Sequence, residues 1–247
     1  MKRIAILIFV LMIELQTFSQ QHVGDPKLTE IWNPVPKIIT PGKSVTDAPS
    51  DAIILFNNKK DSANWVSKDG KPFNWKAENN FFTVVPFSGD LFTKQSFGDC
   101  QLHIEWRTPA EVKDSGQGRG NSGVFLMSRY ELQILDSYNN TTYSNGQAGS
   151  IYKQHMPMAN VCKPPGGWQM YDIIFIAPQF YKDRTLKSAA RMTVFQNGVL
   201  IQNNVELWDP MQFIGVPKYE MHEIKEPLLL QDHHNPVSFR NIWIREL

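Results

Sequence analysis

Apolar and polar positions alternate in short runs along this chain, which is the pattern of β-strands with one buried face. The clearest run extends from Gln101 to Arg107. Leu102, Ile104 and Trp106 form its apolar face, while polar side chains that include Glu105 form the other face. A solvated sheet surface and a functional cleft both account for that polar face.

A second alternating strand is predicted from Tyr130 to Leu135, directly after an apolar strand and a short polar turn. Glu131 and Gln133 share its polar face. A glycine-rich turn between Gly116 and Gly123 precedes both strands, and glycine lets another group approach the backbone closely. A carboxylate and an amide beside such a turn suit a polyhydroxylated ligand.

Turn residues divide the remaining chain into further short strands. Asn197-Gly198, between two β-rich runs, is the strongest hairpin signal, and Asn79-Asn80 marks another hairpin. No segment has a convincing long helical period, and the sequence contains no internal repeat, P-loop, dinucleotide-binding glycine fingerprint, paired CxxC or HExxH motif. The pattern therefore predicts an all-β fold, an antiparallel sandwich of two sheets.

The N-terminus is predicted to be a signal peptide, residues 1–19. Lys2 and Arg3 precede an apolar run from Ile4 to Ile13, and small residues, Thr17 and Ser19, then stand three and one positions before a cleavage point after Ser19. The run is too short for a membrane-spanning helix, which needs roughly 20 residues. We therefore expect an exported protein, periplasmic or secreted, with no membrane span.

The proline-rich segment at residues 20–50 has little periodicity and predicts an extended N-terminal arm. The strand pattern starts after it, so residues 51–247 are predicted to form one domain. At this length a β-sandwich is commonly a single domain.

Composition mainly excludes classes of partner. The net charge is +1 and the charges are interspersed, so neither a nucleic-acid partner nor an anionic membrane surface is indicated. The seven Trp residues suit a β-rich core, which accounts for most of them, and also suit stacking on sugars. Cys100 and Cys162 are too few for a disulfide framework, and we expect two free, mostly buried thiols.

Several motifs carry a resemblance to a known family. They are LHIEWR at 102–107, GRGNSGV at 118–124, YELQILDSY at 130–138, WQ and YDI within 168–173, LQDH at 230–233 and RNIW at 240–243. Together they resemble the bacterial 3-keto-disaccharide (3-keto-glycoside) hydrolase domain, formerly a domain of unknown function, over roughly residues 50–247. The resemblance implies a concanavalin A-like lectin/glucanase jelly roll with a sugar-binding concave face. Cys100 departs from the family pattern, which usually has an aromatic residue there.

The resemblance also implies a reaction. The C3 ketone of a 3-keto-glycoside acidifies the hydrogen on C2, and a base that removes it produces an enolate. The C1 substituent is then expelled by β-elimination, and water adds at C1. This chemistry requires a general base, an electrophile for the enolate oxygen and a proton donor for the leaving oxygen.

Three residues are candidates for catalysis. Glu131 is the foremost carboxylate, as base or ligand, and His155 is a candidate base or metal ligand because its unperturbed pKa lies near working pH. Glu105 follows, although a salt bridge accounts for it equally well. The residues predicted to bind the substrate are Arg107, Asn121, Gln133, Lys94, Gln231, His233, Tyr138 and Tyr152.

Two other functions stay open at this stage. One is a carbohydrate-binding, lectin-like module without catalysis; the other is an ordinary glycoside hydrolase with Glu105 and Glu131 as its carboxylate pair. The titratable polar faces favour an enzyme, and we expect Glu105, Glu131 and His155 to converge on one pocket. A divalent cation held by carboxylate or amide oxygens and one His is compatible with the sequence, but no ligand spacing demonstrates it. The oligomeric state cannot be read from the sequence.

Overall fold

The computed structural model describes residues 24–247, so the predicted signal peptide lies outside the described residues. The chain divides after Ile38 into two units. The described part of the first unit contains a 3₁₀ helix, Pro26–Thr29, capped by the Asp25 side chain. No helix within residues 24–247 is long and apolar enough to cross a membrane.

The second unit is built from short strands, as the alternation predicts. They are β1 Ile53–Phe56, β2 Trp65–Ser67, β3 Lys76–Ala77, β4 Phe82–Thr83, β5 Leu91–Phe97, β6 Cys100–Arg107, β7 Ser122–Leu126, β8 Tyr130–Ile134, β9 Gln169–Ile176, β10 Gln179–Phe180, β11 Leu186–Ser188, β12 Arg191–Gln196, β13 Val199–Glu206, β14 Glu226–Leu230 and β15 Ser238–Glu246. Short 3₁₀ turns cover Lys59–Asn64, Gly116–Gly118 and Ser144–Gly146.

The strands form two main antiparallel sheets. The large sheet has the order β13-β12-β9-β6-β15-β4-β3, with β1 also paired to β15. The small sheet has the order β2-β5-β14-β7-β8, and β10 pairs with β11 apart from both. The prediction of an all-β, two-sheet antiparallel sandwich is confirmed.

The core lies between the two sheets. Tyr171 of the large sheet donates a hydrogen bond of 2.8 Å from its hydroxyl to the carbonyl of Gln133 in the small sheet. The rings of Tyr130 and Phe175 also meet across this layer, with centroids 5.5 Å apart. The apolar faces of β6 and β8 are therefore turned toward each other, and every apolar side chain on them is essentially fully buried.

Two tight turns determine the register in which β12 pairs with β13 and β7 pairs with β8. The predicted hairpin joins β12 to β13 through Asn197 and Gly198, both with positive φ, as the strand twist requires. Met127 and Ser128, which join β7 to β8, also have positive φ, at 53° and 56°. Neither is a glycine, so this turn is held in an uncommon conformation.

Both cysteines are free thiols in the structure. Cys100 is fully buried among the apolar side chains of the core, and Cys162 is partly buried.

Candidate functional site

The outer face of the small sheet carries a cluster of polar side chains around Gly123 in β7. Gly123 pairs with Gln133 of β8. On the side of β14, the backbone amide of Gln231 donates a 3.1 Å hydrogen bond to the Gly123 carbonyl. Strand alternation turns all three positions away from the core. Since neighbouring strands lie about 4.8 Å apart, the two glutamine backbones stand about 10 Å apart with the glycine between them.

Because Gly123 has no side chain, the Glu131 carboxyl group and the Phe125 ring lie directly against its backbone. A Cβ atom there would lie 2.7 Å from Glu131 Oε1 and 2.7 Å from Phe125 Cε2. The Glu131 carboxyl group therefore covers the Gly123 backbone, and Gln133 and Gln231 flank Gly123 on the neighbouring strands. We call this group the Gly123 cleft.

A chain of side-chain hydrogen bonds fixes the orientation of Gln133. Asn121 Nδ2 donates to the Gln117 carbonyl at 2.7 Å, and Gln117 Nε2 donates to the Gly146 carbonyl at 2.8 Å. The amide oxygens of these two residues must therefore be acceptors, and Gln133 Nε2 donates to them at 3.2 and 3.3 Å. The consequence is that Gln133 Oε1 is left for another donor.

Three buried acceptor atoms in the Gly123 cleft lack a hydrogen-bond partner among the described residues. They are Gln133 Oε1, Gln231 Oε1 and Glu131 Oε2. A buried polar atom without a partner costs free energy, so a group of them indicates a missing donor. The hydroxyl groups of a sugar are donors of the required kind.

Burial controls the chemistry of Glu131. Its side chain is 3% exposed, and burial raises its pKa to about 8. A carboxyl group with such a pKa exchanges a proton near neutral pH, which is the property of a general base or acid.

Tyr152 is held next to Glu131 by an added strand-like segment at the edge of β8. Gln133 exchanges backbone hydrogen bonds with Gly149 and Ser150, and the Tyr152 amide donates to the Glu131 carbonyl at 3.2 Å. The hydroxyls of Tyr152 and Tyr143 lie 2.6 Å apart. Burial, this hydrogen bond and the nearby Glu131 charge raise the pKa of Tyr152, so its phenol stays protonated.

Glu105 lies on the opposite side of the sandwich. The apolar sides of β6 and β8 face each other across the core, so their polar sides point away from each other. Glu105 and Glu131 therefore do not converge on one pocket, contrary to the expectation from the sequence. Glu105 instead bonds Arg240 Nε at 2.6 Å and Asn241 Nδ2 at 2.9 Å. Burial alone would raise the pKa of Glu105, but its hydrogen-bond donors outweigh burial and lower that pKa to about 2.

Arg107 shares that outer face of the large sheet. Its guanidinium carbon lies 4.8 Å from the centroid of the Phe81 ring and 4.6 Å from that of the Trp168 ring. Arg240 lies over Trp168 as well, at 4.1 Å. These cation–π contacts account for Arg107 without a ligand.

His155 contacts the edge strand of the large sheet. Its Nε2 donates a 2.8 Å hydrogen bond to the carbonyl of Glu206 in β13, and its ring meets Trp208 edge-on at 5.1 Å. The imidazole therefore has a structural partner outside the Gly123 cleft.

The other predicted binding residues are dispersed. Lys94 is exposed on β5 and borders a separate shallow cavity beside Trp65. His233 is exposed in the loop that follows Gln231, and Tyr138 is 38% exposed, with its carbonyl bound to Arg119.

The structure thus brings together five of the predicted residues and adds others. The predicted ones are Glu131, Gln133, Asn121, Gln231 and Tyr152. Gly123 was expected only as part of a glycine-rich turn that allows close approach to the backbone, and Gln117 and Tyr143 were not predicted as site residues. No group of three or more His, Cys, Asp or Glu residues within the described part of the chain is arranged to hold a metal ion.

Comparison with known proteins identifies close relatives of this fold. The model of a family described as a 3-keto-alpha-glucoside-1,2-lyase-like domain matches residues 51–245. A crystal structure from Parabacteroides distasonis, described as a candidate glycosyl hydrolase, is 46% identical with a TM-score of 0.86, covering 90% of this chain and 97% of that one.

A second structure from the same organism, described in the same words, is 19% identical with a TM-score of 0.56 and covers 79% of this chain and 94% of that one. At that identity it supports the fold alone. The comparison with curated proteins returned no match.

Proposed function

We propose, from the premise that this chain belongs to the 3-keto-alpha-glucoside-1,2-lyase-like family, that it is a glycoside-acting enzyme that cleaves 3-keto-glycosides by β-elimination and hydration. The observation that carries the proposal is the Gly123 cleft. There a buried carboxyl group with a pKa of about 8 lies against the Gly123 backbone, near two buried amide oxygens that have no partner among the described residues.

In this proposal the 3-keto-pyranose binds on the outer face of the small sheet, beside Glu131. Its hydroxyls donate to Gln133 Oε1 and Gln231 Oε1, which replaces the partners these buried atoms lack. The ring is then held with C2 toward Glu131. Positioning of this kind supplies much of the rate of an enzyme reaction because the reacting atoms are already aligned.

Glu131 acts as the general base. Its ionised carboxylate accepts the proton from C2, and the electron pair of that C–H bond forms the enolate. When the enolate collapses, the C3 ketone is restored, a C1–C2 double bond forms and the bond from C1 to the leaving oxygen breaks. Water later adds across the double bond, with its oxygen at C1 and a proton at C2.

Tyr152 fits the role of hydrogen-bond donor to the leaving oxygen. Its phenol remains neutral because burial raises its pKa, and its amide is anchored to the Glu131 carbonyl. Tyr143 lies 2.6 Å away, oxygen to oxygen, and holds the hydroxyl in place. A donor at this point stabilises the charge that develops on the departing oxygen.

The surroundings of Glu131 disfavour an ordinary glycoside hydrolase. Such an enzyme needs a second carboxyl group within roughly 5–9.5 Å. Burial is the cause of the raised pKa of Glu131, and Glu105, the other carboxylate of the predicted pair, projects from the other sheet. A lectin remains the rival function, because open acceptors also suit sugar binding without turnover.

Turnover assays decide among these functions. The protein is incubated with 3-keto-trehalose and with trehalose, and released sugar is measured. Cleavage of only the keto sugar supports the proposal, binding of either sugar without cleavage supports a lectin, and cleavage of trehalose supports an ordinary hydrolase. The role predicted for His155 is tested in the same assay, where its bond to Glu206 leads us to expect that His155→Ala retains turnover.

We also propose that the protein is exported, on the strength of the N-terminal sequence. The test is N-terminal sequencing of the protein recovered from its native cells. A start at Gln20 supports cleavage of residues 1–19, and an intact N-terminus contradicts it.

A further inference from the structure

A row of cross-strand neighbours crosses the outer face of the small sheet and ends at Glu131. In the order β5, β14, β7 and β8, its members are Phe92, Leu229, Phe125 and Glu131. Directly paired residues of antiparallel strands project from the same face of a sheet. Three apolar side chains in succession therefore lead up to the carboxyl group.

Phe125 is buried although it projects away from the core. Its neighbours in β7, Val124 and Leu126, point into the layer between the two sheets and are 0% and 2% exposed. Phe125 and Leu229 on the opposite face are 7% and 8% exposed. The Phe125 ring therefore lies outside the layer between the sheets, and what it covers is the outer face itself.

The Phe125 ring and the Glu131 carboxyl group border the same small space. A Cβ atom at Gly123 would lie 2.7 Å from Phe125 Cε2 and 2.7 Å from Glu131 Oε1. The ring edge and the carboxyl oxygen are therefore close neighbours above the Gly123 backbone. On the β7 side of the carboxyl group, the ring fills room that water would otherwise occupy.

Charged and titratable groups border Glu131 on the sides away from β7. Tyr152 faces it from the segment at the edge of β8, and its phenol is neutral because burial raises its pKa. Arg129, two residues earlier in the chain, forms an ion pair with Glu226. Strand β7 itself contains no titratable residue. The β7 side of the carboxyl group is therefore apolar.

An apolar wall on one side of a carboxyl group changes its chemistry in two ways. An ionised carboxylate is stabilised by hydration, so loss of water favours the neutral acid, in agreement with the pKa of Glu131, which burial raises to about 8. A carboxylate of higher pKa is also the stronger base once it is ionised. Shielding therefore lowers the fraction of ionised Glu131 near neutral pH and strengthens each ionised base.

We propose that Phe125 is a positioning residue for Glu131, whose ring keeps water from the β7 side of the carboxyl group and thereby sets the strength of the base and the pH range of turnover. The inference rests on the proposed function and deepens it, because it assigns control of the general base to one aromatic side chain.

The test replaces the ring in two steps. Phe125→Leu keeps part of the apolar cover, whereas Phe125→Thr keeps a strand-forming shape but is too short to cover the carboxyl group. Phe92→Thr is the matched control, because Phe92 is a partly buried phenylalanine at the other end of the same row, next to Leu229. The pH profiles of kcat and KM for 3-keto-trehalose are measured for all three variants and the wild type.

We expect the midpoint of the kcat/KM profile to fall by about one pH unit in Phe125→Thr, to fall less in Phe125→Leu and to stay in place in Phe92→Thr. At pH 9, kcat of Phe125→Thr should be roughly threefold below the wild type with KM unchanged, because the base is weaker. The ratio of variant to wild-type kcat/KM should then be about tenfold higher at pH 6 than at pH 9. A purely structural role would lower activity by one factor at every pH.

A second readout does not require turnover. In protein labelled with ¹³C at the glutamate carboxyl carbons, the Glu131 signal is the one missing from Glu131→Gln, and its titration midpoint should fall in the same order as the kinetic midpoint. An unchanged midpoint in every folded Phe125 variant, or an equal fall in Phe92→Thr, overturns the inference. A wild type that cleaves no keto sugar, with a midpoint that responds to Phe125 alone, overturns the proposed function and supports the shielding of Glu131 by Phe125.

Discussion

The carboxyl group of Glu131 occupies the space that a side chain at Gly123, on the neighbouring strand, would fill. A Cβ atom at Gly123 would approach Glu131 Oε1 to 2.7 Å. Replacing Gly123 with alanine tests whether this contact matters for activity. A matched glycine-to-alanine substitution elsewhere in the chain separates an effect on activity from an effect on stability.

Gly123→Ala is expected to lower kcat/KM at least about tenfold, since the new methyl group displaces the Glu131 carboxyl group. Overpacking should also cost about 1–3 kcal/mol of unfolding free energy. Gly98→Ala is the matched control, because its Cβ would approach the Ile224 carbonyl equally closely, at 2.7 Å, away from the cleft. Steady-state kinetics and denaturant unfolding of both variants give the comparison; equal kcat/KM losses per folded molecule would count against the cleft.

Glu131→Gln is expected to reduce kcat by about 10²–10⁴-fold, the usual contribution of a general base. The amide is nearly isosteric with the carboxyl group, so the melting curve should show an intact fold. In the wild type, kcat/KM should rise as pH increases through about 8, because the base form of Glu131 appears there. A pH profile that is flat from 6 to 9, or turnover near the wild-type rate in Glu131→Gln, would assign the base elsewhere.

The raised pKa of Glu131 also predicts how stability depends on pH. The folded protein binds this proton more tightly than the unfolded chain, whose carboxyl pKa is 4.5, so the stabilising contribution is complete below that pH. It is lost as pH rises from 4.5 through about 8. The wild type should therefore lose stability relative to Glu131→Gln over this range, by a few kcal/mol at most. Melting temperatures of the two proteins from pH 5 to 9 measure it, and a constant difference would contradict it.

Glu105→Gln should behave in the opposite way. The pKa of Glu105 is lowered from 4.5 to about 2, so its contribution to stability is present above pH 4.5 and is lost as pH falls toward 2. Removing the charge breaks the ion pair with Arg240, which should cost about 1–3 kcal/mol at neutral pH. Because Glu105 points away from the Gly123 cleft, kcat/KM per folded molecule should be unchanged. A large loss of kcat at full stability would restore Glu105 as a catalytic candidate.

The sequence was most informative about local geometry. Alternation correctly put Glu131 and Gln133 on one face of a strand, and Asn197-Gly198 correctly marked a hairpin. Both signals lie within a few residues of chain, so local sterics determine them.

What the sequence did not determine was the relation between distant segments. Alternation assigns Glu105 and Glu131 each to an outward face, but it does not say that their strands belong to different sheets. The pairing of β14 with β7, which brings Gln231 beside Gly123, joins segments far apart in the chain. His155 bonds a backbone carbonyl, a partner that has no residue-type signature.

The left-handed turn at Met127 and Ser128 determines which side chains of β8 face the Gly123 cleft, so the chemistry of the cleft depends on the number of residues in this turn. With this turn, β8 enters the small sheet with Glu131 outward and Tyr130 inward. One residue inserted or deleted there would exchange the two faces of β8, which drives a carboxyl group into the apolar layer and a tyrosine into solvent. We therefore expect insertions and deletions to be tolerated in the outer loops but not between residues 126 and 130.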